Sequence, residues 1–389
     1  MTRTFVACTV EVDDKDLAIS EIRSQLGIDT NLLANSVGII SCHYEFVLSG
    51  VAKAVCDALP FDVLGIVSAY QFVDAQPEHI SMTIMLITSD DVEFVSVRTP
   101  ALIGPYGDII EQSYTDAIST RSDKPALVMA FASFLTANSG DEYVDVISRV
   151  SGDVPFFGTL AIDDTPELTY CYMLYNGEHY AAGMSMLLAY GNLSPKFYVA
   201  NISSEKVLGK TAVITKSVGH VIMEVNGNSV EAYLQELGLK SAAKTAYAMS
   251  NVPFLLDYND GTPKVSKIFV TMTPEGYALC AGSVPEGSGL QLAITDKDDV
   301  LFTTGEAMDQ IMSDIDVSGA SGMLVCSCIS RLLALGVSQS DEVELVNSKV
   351  LGKFPVMMTY SGGEICPTLI REGKSINRFH NNAFAACVF

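Results

Sequence analysis

The sequence predicts a mixed α/β protein, with mixed sheets, helices packed on their faces and two related halves. Short β-branched and aromatic runs alternate with stretches of helical periodicity along the 389 residues. A pattern of buried strand, helix and proline-led strand occurs three times, which predicts internal strand–helix–strand repeats with parallel strand pairs. Asn-Gly turns between strand-like runs add antiparallel hairpins. The combination is typical of mixed sheets rather than of a purely parallel one.

In the first half, strand-like and helix-like segments follow one another closely. The N-terminal segment is predicted to be an edge strand, and further predicted strands are VGIISCHYEF from Val37, DVLGIVSAYQF from Asp62, SMTIMLIT from Ser81 and ALVMAFASF from Ala126. Apolar residues at helical spacing indicate one helix around Val51, stopped by Pro60, and another around Tyr114. Ser139 and Glu142 match a capping box, which predicts the start of a third helix.

Hairpins and helices follow in the rest of the chain. Asn176-Gly177 and Asn226-Gly227 each lie between β-rich runs and predict two-residue hairpin turns. A helical face follows Val230 and is closed by Gly238, and Thr303 is predicted to cap the next helix together with Glu306. The last predicted strands are GMLVCSCIS from Gly322 and FPVMMTYSG from Phe354, with a helix between them that ends at Gly352.

Charge and hydropathy exclude several classes of partner. The chain has 46 acidic and 23 basic residues, and the net charge of −23 repels phosphate backbones and anionic lipid surfaces. We therefore expect no nucleic acid and no membrane among its partners. No apolar run approaches the ~18 residues of a spanning helix. The N-terminus lacks a secretory apolar region, so the expected location is cytoplasmic.

The nine cysteines are scattered and odd in number, unlike a disulfide framework. Cys326 and Cys328 are the one close pair, and their spacing places both side chains on one face of a strand. No second pair and no histidine at zinc spacing accompany them. We predict neither a metal site nor a cofactor, and we expect the thiols to be reduced.

Polar residues gather at strand ends in the last quarter of the chain. The candidate ligand-binding residues there are Cys328, Arg331, Tyr360, Ser361, Gly362, Gly363, Glu364, His380 and Asn381. One interpretation is a small pocket in which Arg331 takes a carboxylate and Glu364 takes an amine or a hydroxyl. The other is a structural ion pair between Arg331 and Glu364. The sequence leaves both open.

Three segments resemble FIST-domain proteins, a family of bacterial and archaeal sensory domains. VPFFGTLAIDD resembles the N-terminal part of the family, at Pro155, Gly158, Asp163 and Asp164. The stretch from Val207 to Gly238 resembles the start of the C-terminal part. CSCISR and YSGGEICP…FHNN resemble the closing motifs, which contain Arg331, Glu364, His380 and Asn381. The resemblance adds Asp163 to the candidate site.

The resemblance implies a FIST N-terminal domain over residues 1–200 and a FIST C-terminal domain over residues 201–389. It also implies a role in signal transduction, with a small amino-acid-like molecule as ligand and no catalysis. Signals would then pass to a partner protein or through a change in homo-oligomeric assembly. One alternative function is an enzyme, a hydrolase or transferase that uses Cys328, Glu364 and His380. Another is a scaffold whose apolar surface recruits other proteins.

Overall fold

The computed structural model describes residues 2–73, 76–78, 80–135, 138–152, 154–239, 252–315, 319–372 and 374–389. Three units with the same order of elements make up most of these residues. The first unit contains β1 Thr2–Thr9, α1 Lys15–Leu26, α2 Ile28–Asn31, β2 Asn35–Cys42, α3 Tyr44–Leu48, α4 Val51–Asp57, β3 Val63–Val67, β4 Gln71–Val73, β5 Gln76–Glu78 and β6 Met82–Ser89.

The second and third units repeat this order. The second contains β7 Val92–Arg98, α5 Tyr106–Ile118, β8 Leu127–Ala132, α6 Gly140–Ser151, β9 Phe156–Leu160, β10 Met173–Tyr175, β11 Glu178–Tyr180 and β12 Met184–Gly191. The third begins with β13 Lys196–Ala200 and resumes after an insertion with α8 Lys297–Asp314, β21 Met323–Cys328, α9 Ile329–Leu335, α10 Asp341–Val350, β22 Val356–Ser361, β23 Glu364–Arg371, β24 Lys374–His380 and β25 Phe384–Val388.

The insertion forms a module with a seven-stranded sheet. It contains β14 Ala212–Val218, β15 Val221–Val225, β16 Asn228–Ser229, α7 Val230–Glu236, β17 Pro253–Asp257, β18 Val265–Met272, β19 Ala278–Cys280 and β20 Gly289–Leu292. Its strands follow the order β14-β20-β17-β18-β19-β15-β16, and β14 also pairs with β15, the last strand but one in this order. We call the described residues 212–239 and 252–292 the seven-stranded module.

Each unit builds a six-stranded sheet, and each sheet is completed by a hairpin from another unit. The three strand orders are β1-β6-β2-β3-β10-β11, β7-β12-β8-β9-β23-β24 and β13-β25-β21-β22-β4-β5. The hairpin of the second unit thus joins the first sheet, that of the third unit joins the second sheet, and that of the first unit joins the third sheet. This cyclic exchange ties the first and last parts of the chain together.

The residues that follow the third strand of each unit form hydrogen bonds with the neighbouring unit, in a cycle that links all three units. These bonds run from the Ile162 amide to the Val67 carbonyl (3.1 Å), from the Gly362 amide to the Leu160 carbonyl (2.9 Å) and from the Ser68 hydroxyl to the Tyr360 carbonyl (2.7 Å). A central apolar core contains residues of all three sheets, among them Ile39, Met129 and Leu324. Separate cores lie between each sheet and its own helices.

The predicted mixed α/β class and the three repeats are confirmed. The parallel pairs are β2–β3, β8–β9 and β21–β22, and the other pairings among the described strands are antiparallel. β1 is an edge strand, and both Asn-Gly turns connect hairpins. Two of the three units lie in the N-terminal half of the chain. No helix among the described residues has the length and apolarity needed to cross a bilayer.

Two predicted helix starts need correction. The helix that carries Met308 begins at Lys297, where Asp296 is the N-cap and accepts from the Asp299 amide, so Thr303 lies inside the helix. An aspartate is as good a cap as a threonine, and the sequence offered both. At α6 the N-cap is Ser139 as predicted, but the Glu142 carboxylate accepts from the Tyr106 hydroxyl and does not complete a capping box.

Candidate functional site

The segment Ser361–Gly362–Gly363–Glu364 turns from β22 of the third sheet into β23 of the second sheet. Gly362 donates its amide to the Leu160 carbonyl, and the Gly363 carbonyl accepts from the Leu160 amide at 3.1 Å. A Cβ at Gly363 would overlap the Phe379 ring, and its φ of +143° suits glycine alone. The two glycines therefore permit a close approach to β9 and to the Phe379 ring.

The Glu364 side chain is completely buried at this turn. Its Oε1 accepts from the Ser361 hydroxyl at 2.8 Å. Oε2 makes no hydrogen bond of good geometry with the described residues, although the Ala383 amide and the Cys328 thiol lie close enough to the carboxyl group to act on its pKa. Burial raises the pKa of Glu364 well above its usual value. The Ser361 hydroxyl, the Ala383 amide, the more distant charge of Arg331 and the Cys328 thiol offset this only in part. The carboxyl group is therefore held in a site that favours its neutral form.

Three neighbouring residues also have buried polar side-chain atoms without a hydrogen-bond partner among the described residues. His380 is the register partner of Glu364 across β23 and β24, and the Asn381 amide donates to the Ser266 carbonyl at 2.9 Å. Among the described residues, no partner exists for His380 Nδ1, for either amide atom of Asn381 or for the Ser266 hydroxyl. We call Glu364, His380, Asn381 and Ser266 the Glu364 cluster.

The tautomer of His380 is fixed by its surroundings. Its Nε2 lies 3.4 Å from the Cys366 carbonyl oxygen, which can only accept, so Nε2 carries the hydrogen and Nδ1 presents a lone pair. Burial, together with the charge of Lys267, lowers the pKa of His380 to about 3. The imidazole therefore enters the Glu364 cluster as a neutral acceptor.

Arg331 does not pair with Glu364, so that predicted ion pair is wrong. Its guanidinium bonds Glu342 Oε1 from Nε (3.0 Å) and Nη2 (2.8 Å), and Nη2 also donates to the Thr304 hydroxyl at 2.7 Å. The second oxygen of Glu342 accepts from Ser327 and, at 2.8 Å, from the Tyr360 hydroxyl. Arg331 follows β21 as part of α9 and packs against α8 and α10.

Tyr360 belongs to this second network, since neighbouring strand residues point to opposite faces of a sheet. Its ring packs in the core under α8 and α10, with its hydroxyl on Glu342. Ser361, the next residue, points to the other face and reaches Glu364. The structure thus separates the predicted residues Arg331 and Tyr360 from the predicted residues Ser361 and Glu364.

Cys328 lies beside the Glu364 cluster at the end of β21. Its amide donates to the Ala383 carbonyl at 2.9 Å. Burial, and then the nearby Glu364, raises the pKa of the Cys328 thiol to about 12. Because the thiolate is the nucleophile, a thiol held in this state is a poor catalyst. All nine cysteines are free.

Asp163 is far from being an open ligand anchor. Its Oδ1 accepts from the Thr165 amide (2.7 Å) and hydroxyl (2.5 Å), and its Oδ2 accepts from the Tyr170 amide and from the Cys171 thiol (3.5 Å). These bonds use the carboxylate to shape the loop after β9. Asp164 points outward and lies 3.3 Å from His43 Nε2.

The sequence analysis missed Lys267 and Asp141. Lys267 is fully buried in β18, and its Nζ donates to Asp141 at 2.9 and 2.8 Å and to the Phe379 carbonyl at 2.8 Å. The only sequence signal is a lysine within the apolar run VSKIFVTM from Val265. Among the residues that the structure describes, no group of histidine, cysteine or acidic side chains is arranged to hold a metal ion.

The family models match most of the sequence. A FIST N domain matches residues 36–228, and a FIST C domain matches residues 229–367. The chain belongs to the FIST family. FIST domains are a sensory family, which indicates a role in signalling. No curated protein matches the sequence.

Solved structures resemble this FIST protein only weakly. Cyanuric acid hydrolase from A. caulinodans has 8% identity and a TM-score of 0.37, with 100% of this chain and 99% of that chain covered. T. maritima PurL complexed with ATP has 8% identity and a TM-score of 0.21, with 100% and 71% covered. Neither similarity supports an argument about function.

Proposed function

We propose that this FIST protein is a cytoplasmic sensor that binds a small polar ligand at the Glu364 cluster and does not transform it. The observation that supports this most directly is the set of unpaired atoms in a fully buried site: Glu364 Oε2, His380 Nδ1, Asn381 Oδ1 and Nδ2, and Ser266 Oγ. Buried polar groups are normally hydrogen-bonded, and leaving one unpaired costs about 1–3 kcal/mol. A bound ligand would satisfy several of them together.

The unpaired atoms favour a ligand rich in hydrogen-bond donors. His380 Nδ1 and Asn381 Oδ1 are acceptors, and Glu364 Oε2 becomes one when the carboxyl group ionises. A ligand ammonium group would supply the missing counter-charge for Glu364. The two buried cations nearby, Arg331 and Lys267, are already paired with Glu342 and Asp141. We therefore propose an amine, or the amino end of an amino acid, as the group that is recognised.

The route of the signal is part of the same proposal. A ligand-dependent change would pass to a signalling partner or alter self-association. The nine free cysteines support a reducing compartment. Native mass spectrometry of the purified protein would show any retained ligand together with the subunit count.

A pair of asparagine variants tests the site. Asn381→Leu removes two unpaired amide atoms, so we expect amine binding to be lost while the melting temperature is kept or raised. Asn377→Leu is the matched control, because the Asn377 amide is fully used: it accepts from the Phe156 amide (3.0 Å) and donates to the Val154 carbonyl (3.0 Å). The control should melt earlier and still bind.

The readout is thermal melting of both variants and the wild type across a panel of small amines and amino acids. Ligand-induced stabilisation that survives in Asn381→Leu would reject the cluster as the binding site. Turnover of any panel member by the wild type would instead favour the enzyme that uses Cys328, Glu364 and His380. Against that alternative stands the protonated state of the Cys328 thiol, whose pKa is raised to about 12.

A further inference from the structure

The seven-stranded module is a compact body attached to the third unit at one place. The chain leaves the unit after β13 and returns just before α8. The module has a hydrophobic core of its own, which includes Ile214, Phe254, Phe269 and Leu290 and is distinct from the cores of the three units. In the part of the chain that the structure describes, its strands pair only with one another, and an isolated bridge between Val207 and Ala293 joins the linking segments.

Two groups of polar contacts join the module to the rest of the molecule: one centres on Asp141, near the start of α6, and the other is the ion pair of Asp260 with Arg378 of β24. The Asp141 carboxylate accepts from Lys267 and, at 2.7 Å, from the Ser283 amide. The Tyr258 hydroxyl also lies 3.4 Å from it. The Ser139 and Ser283 hydroxyl oxygens are 3.2 Å apart. We call the buried ion pair of Lys267 with Asp141 the latch.

The same contacts lie over the Glu364 cluster. Ser266, a member of the cluster, directly precedes Lys267 of the latch. Its carbonyl oxygen accepts a hydrogen bond from the Asn381 amide. Lys267 donates to the carbonyl of Phe379, the residue before His380. The module therefore covers the cluster at the point where the latch closes, and Glu364, His380 and Asn381 have no exposed surface.

We propose that the seven-stranded module is a lid on the Glu364 cluster and that the Lys267–Asp141 latch holds it shut. The inference rests on the proposed function in one respect: it gives the route by which the ligand enters. A completely buried site can exchange a ligand only when part of its cover moves away. Opening at the latch would uncover Asn381 and His380 while the module keeps its own core intact.

The chemistry of the contact suits a cover that opens. Small polar interfaces between bodies with separate cores permit relative motion. A buried ion pair gives little net stability, because the cost of desolvating both charges offsets their attraction, yet it fixes one geometry. Gly282 adds to that geometry, since a Cβ there would overlap both Asp141 and Lys267. The latch thus sets where the lid closes more than how strongly it is held.

Hydrogen exchange tests the lid without any ligand. The Asn381 amide is hydrogen-bonded to the lid through Ser266, so its exchange reports opening, whereas the amides of β2 in the first unit report global unfolding. In the double variant Lys267→Met/Asp141→Asn, which leaves no buried charge unpaired, we expect exchange at Asn381 to rise about tenfold or more while exchange in β2 stays unchanged. No rise, or an equal rise in β2, overturns the lid.

A reversible lock tests the same motion in the opposite direction. In Ser139→Cys/Ser283→Cys the two sulfurs replace hydroxyl oxygens that are 3.2 Å apart, which suits a disulfide between lid and α6. Oxidation should slow exchange at Asn381 below the wild-type rate, and reduction should restore it. Unchanged exchange in the oxidised form overturns the lid. Neither experiment needs a ligand, so a lid that opens in a protein that binds no amine would reject the proposed function alone.

Discussion

Glu364 is fully buried, and among the described residues no cation lies within ion-pairing distance of it, so its contribution to stability depends on pH. Its pKa is raised in the folded state by burial, so above pH ~4.5 the unfolded chain loses a proton that the folded chain keeps. The stabilisation is complete below the unfolded pKa and is lost as pH rises through the folded pKa. Glu364→Gln keeps the bond from Ser361 and removes this dependence.

We therefore expect Glu364→Gln to gain stability relative to wild type as pH rises from 5 to 8. The measurement is urea denaturation of both proteins at the two pH values. His380, whose folded pKa of about 3 destabilises the fold as pH falls below ~6.5, is common to both proteins and cancels in the comparison. A difference that stays constant between pH 5 and 8 would mean that Glu364 is ionised in the folded state.

Arg331 and Glu342 give the opposite case, a buried charge with its partner present. Arg331→Met leaves the Glu342 carboxylate uncompensated, so the free energy of unfolding should fall by about 3–5 kcal/mol. Arg331→Met/Glu342→Leu removes both charges and should recover part of that loss. Chemical denaturation of the three proteins checks the order. If the double variant is less stable than Arg331→Met, the network contributes more than charge compensation.

The sequence indicated Glu364 as a special position but did not indicate the residues around it. Glycines and a lone carboxylate at the end of an apolar strand predicted a special position at Glu364, and the neighbouring strand was placed correctly beside it. The sequence could not show that Arg331 lies in a helix and faces the helix layer. The alternation of side chains between the two faces of a sheet predicts direction only as far as the end of β21, and Arg331 lies beyond that end. Lys267 was missed because a lysine in a strand is normally exposed, and its burial depends on an aspartate in another unit.

At the level of elements, two of the three parallel strand pairs have a glycine at the same position of their second strand. Gly65 faces Ile40 and Gly158 faces Ala130 in register, and a Cβ on either glycine would overlap the carbonyl oxygen of its partner. A side chain there would push the paired strands apart. The third pair carries Met358 at the corresponding place in β22, opposite Val325.

Gly158→Ala should lower the free energy of unfolding by about 2 kcal/mol or more, because the strand pair must separate locally to admit the methyl group. Gly107→Ala, on the helix α5, is the matched control. The nearest atom to its added Cβ would be Val146 Cγ2 at 3.5 Å, and helical alanine is favoured over glycine by about 0.5–1 kcal/mol. Denaturation curves should therefore move in opposite directions. A neutral Gly158→Ala would show that the pair adjusts freely.

Local patterns predicted most elements, while the exchange of hairpins escaped prediction. Asn176-Gly177 specifies that β10 and β11 pair with each other, but nothing nearby specifies that β10 also pairs with β3 of the first unit. That choice depends on which sheet edge is left open when three units pack together. The start of α8 was predicted wrongly because Thr303, a residue type that also favours N-caps, lies inside the helix that Asp296 caps.

For the whole molecule, the exchange of hairpins makes the parts depend on one another. A fragment of residues 1–200 would lack β23 and β24 of its second sheet, and a fragment of residues 201–389 would lack β4, β5 and β13 of the third sheet. Each fragment would expose open sheet edges. We expect neither to unfold cooperatively alone and the mixture to regain a cooperative transition. Cooperative melting of the isolated first fragment would support 1–200 as an independent domain.

The ring also has a consequence for synthesis on the ribosome. The hairpin of β4 and β5 ends at Glu78, whereas its partner strand β22 begins at Val356. At a translation rate of about 5–20 residues per second, β22 is synthesised roughly 15–55 s after the hairpin. Both chain ends meet near Ser321, whose hydroxyl contacts Thr4 at 3.4 Å and whose amide donates to the Phe389 carbonyl at 2.8 Å. A circularly permuted gene that starts at Met82 would deliver β22 before the hairpin, and its nascent chain should need less chaperone protection.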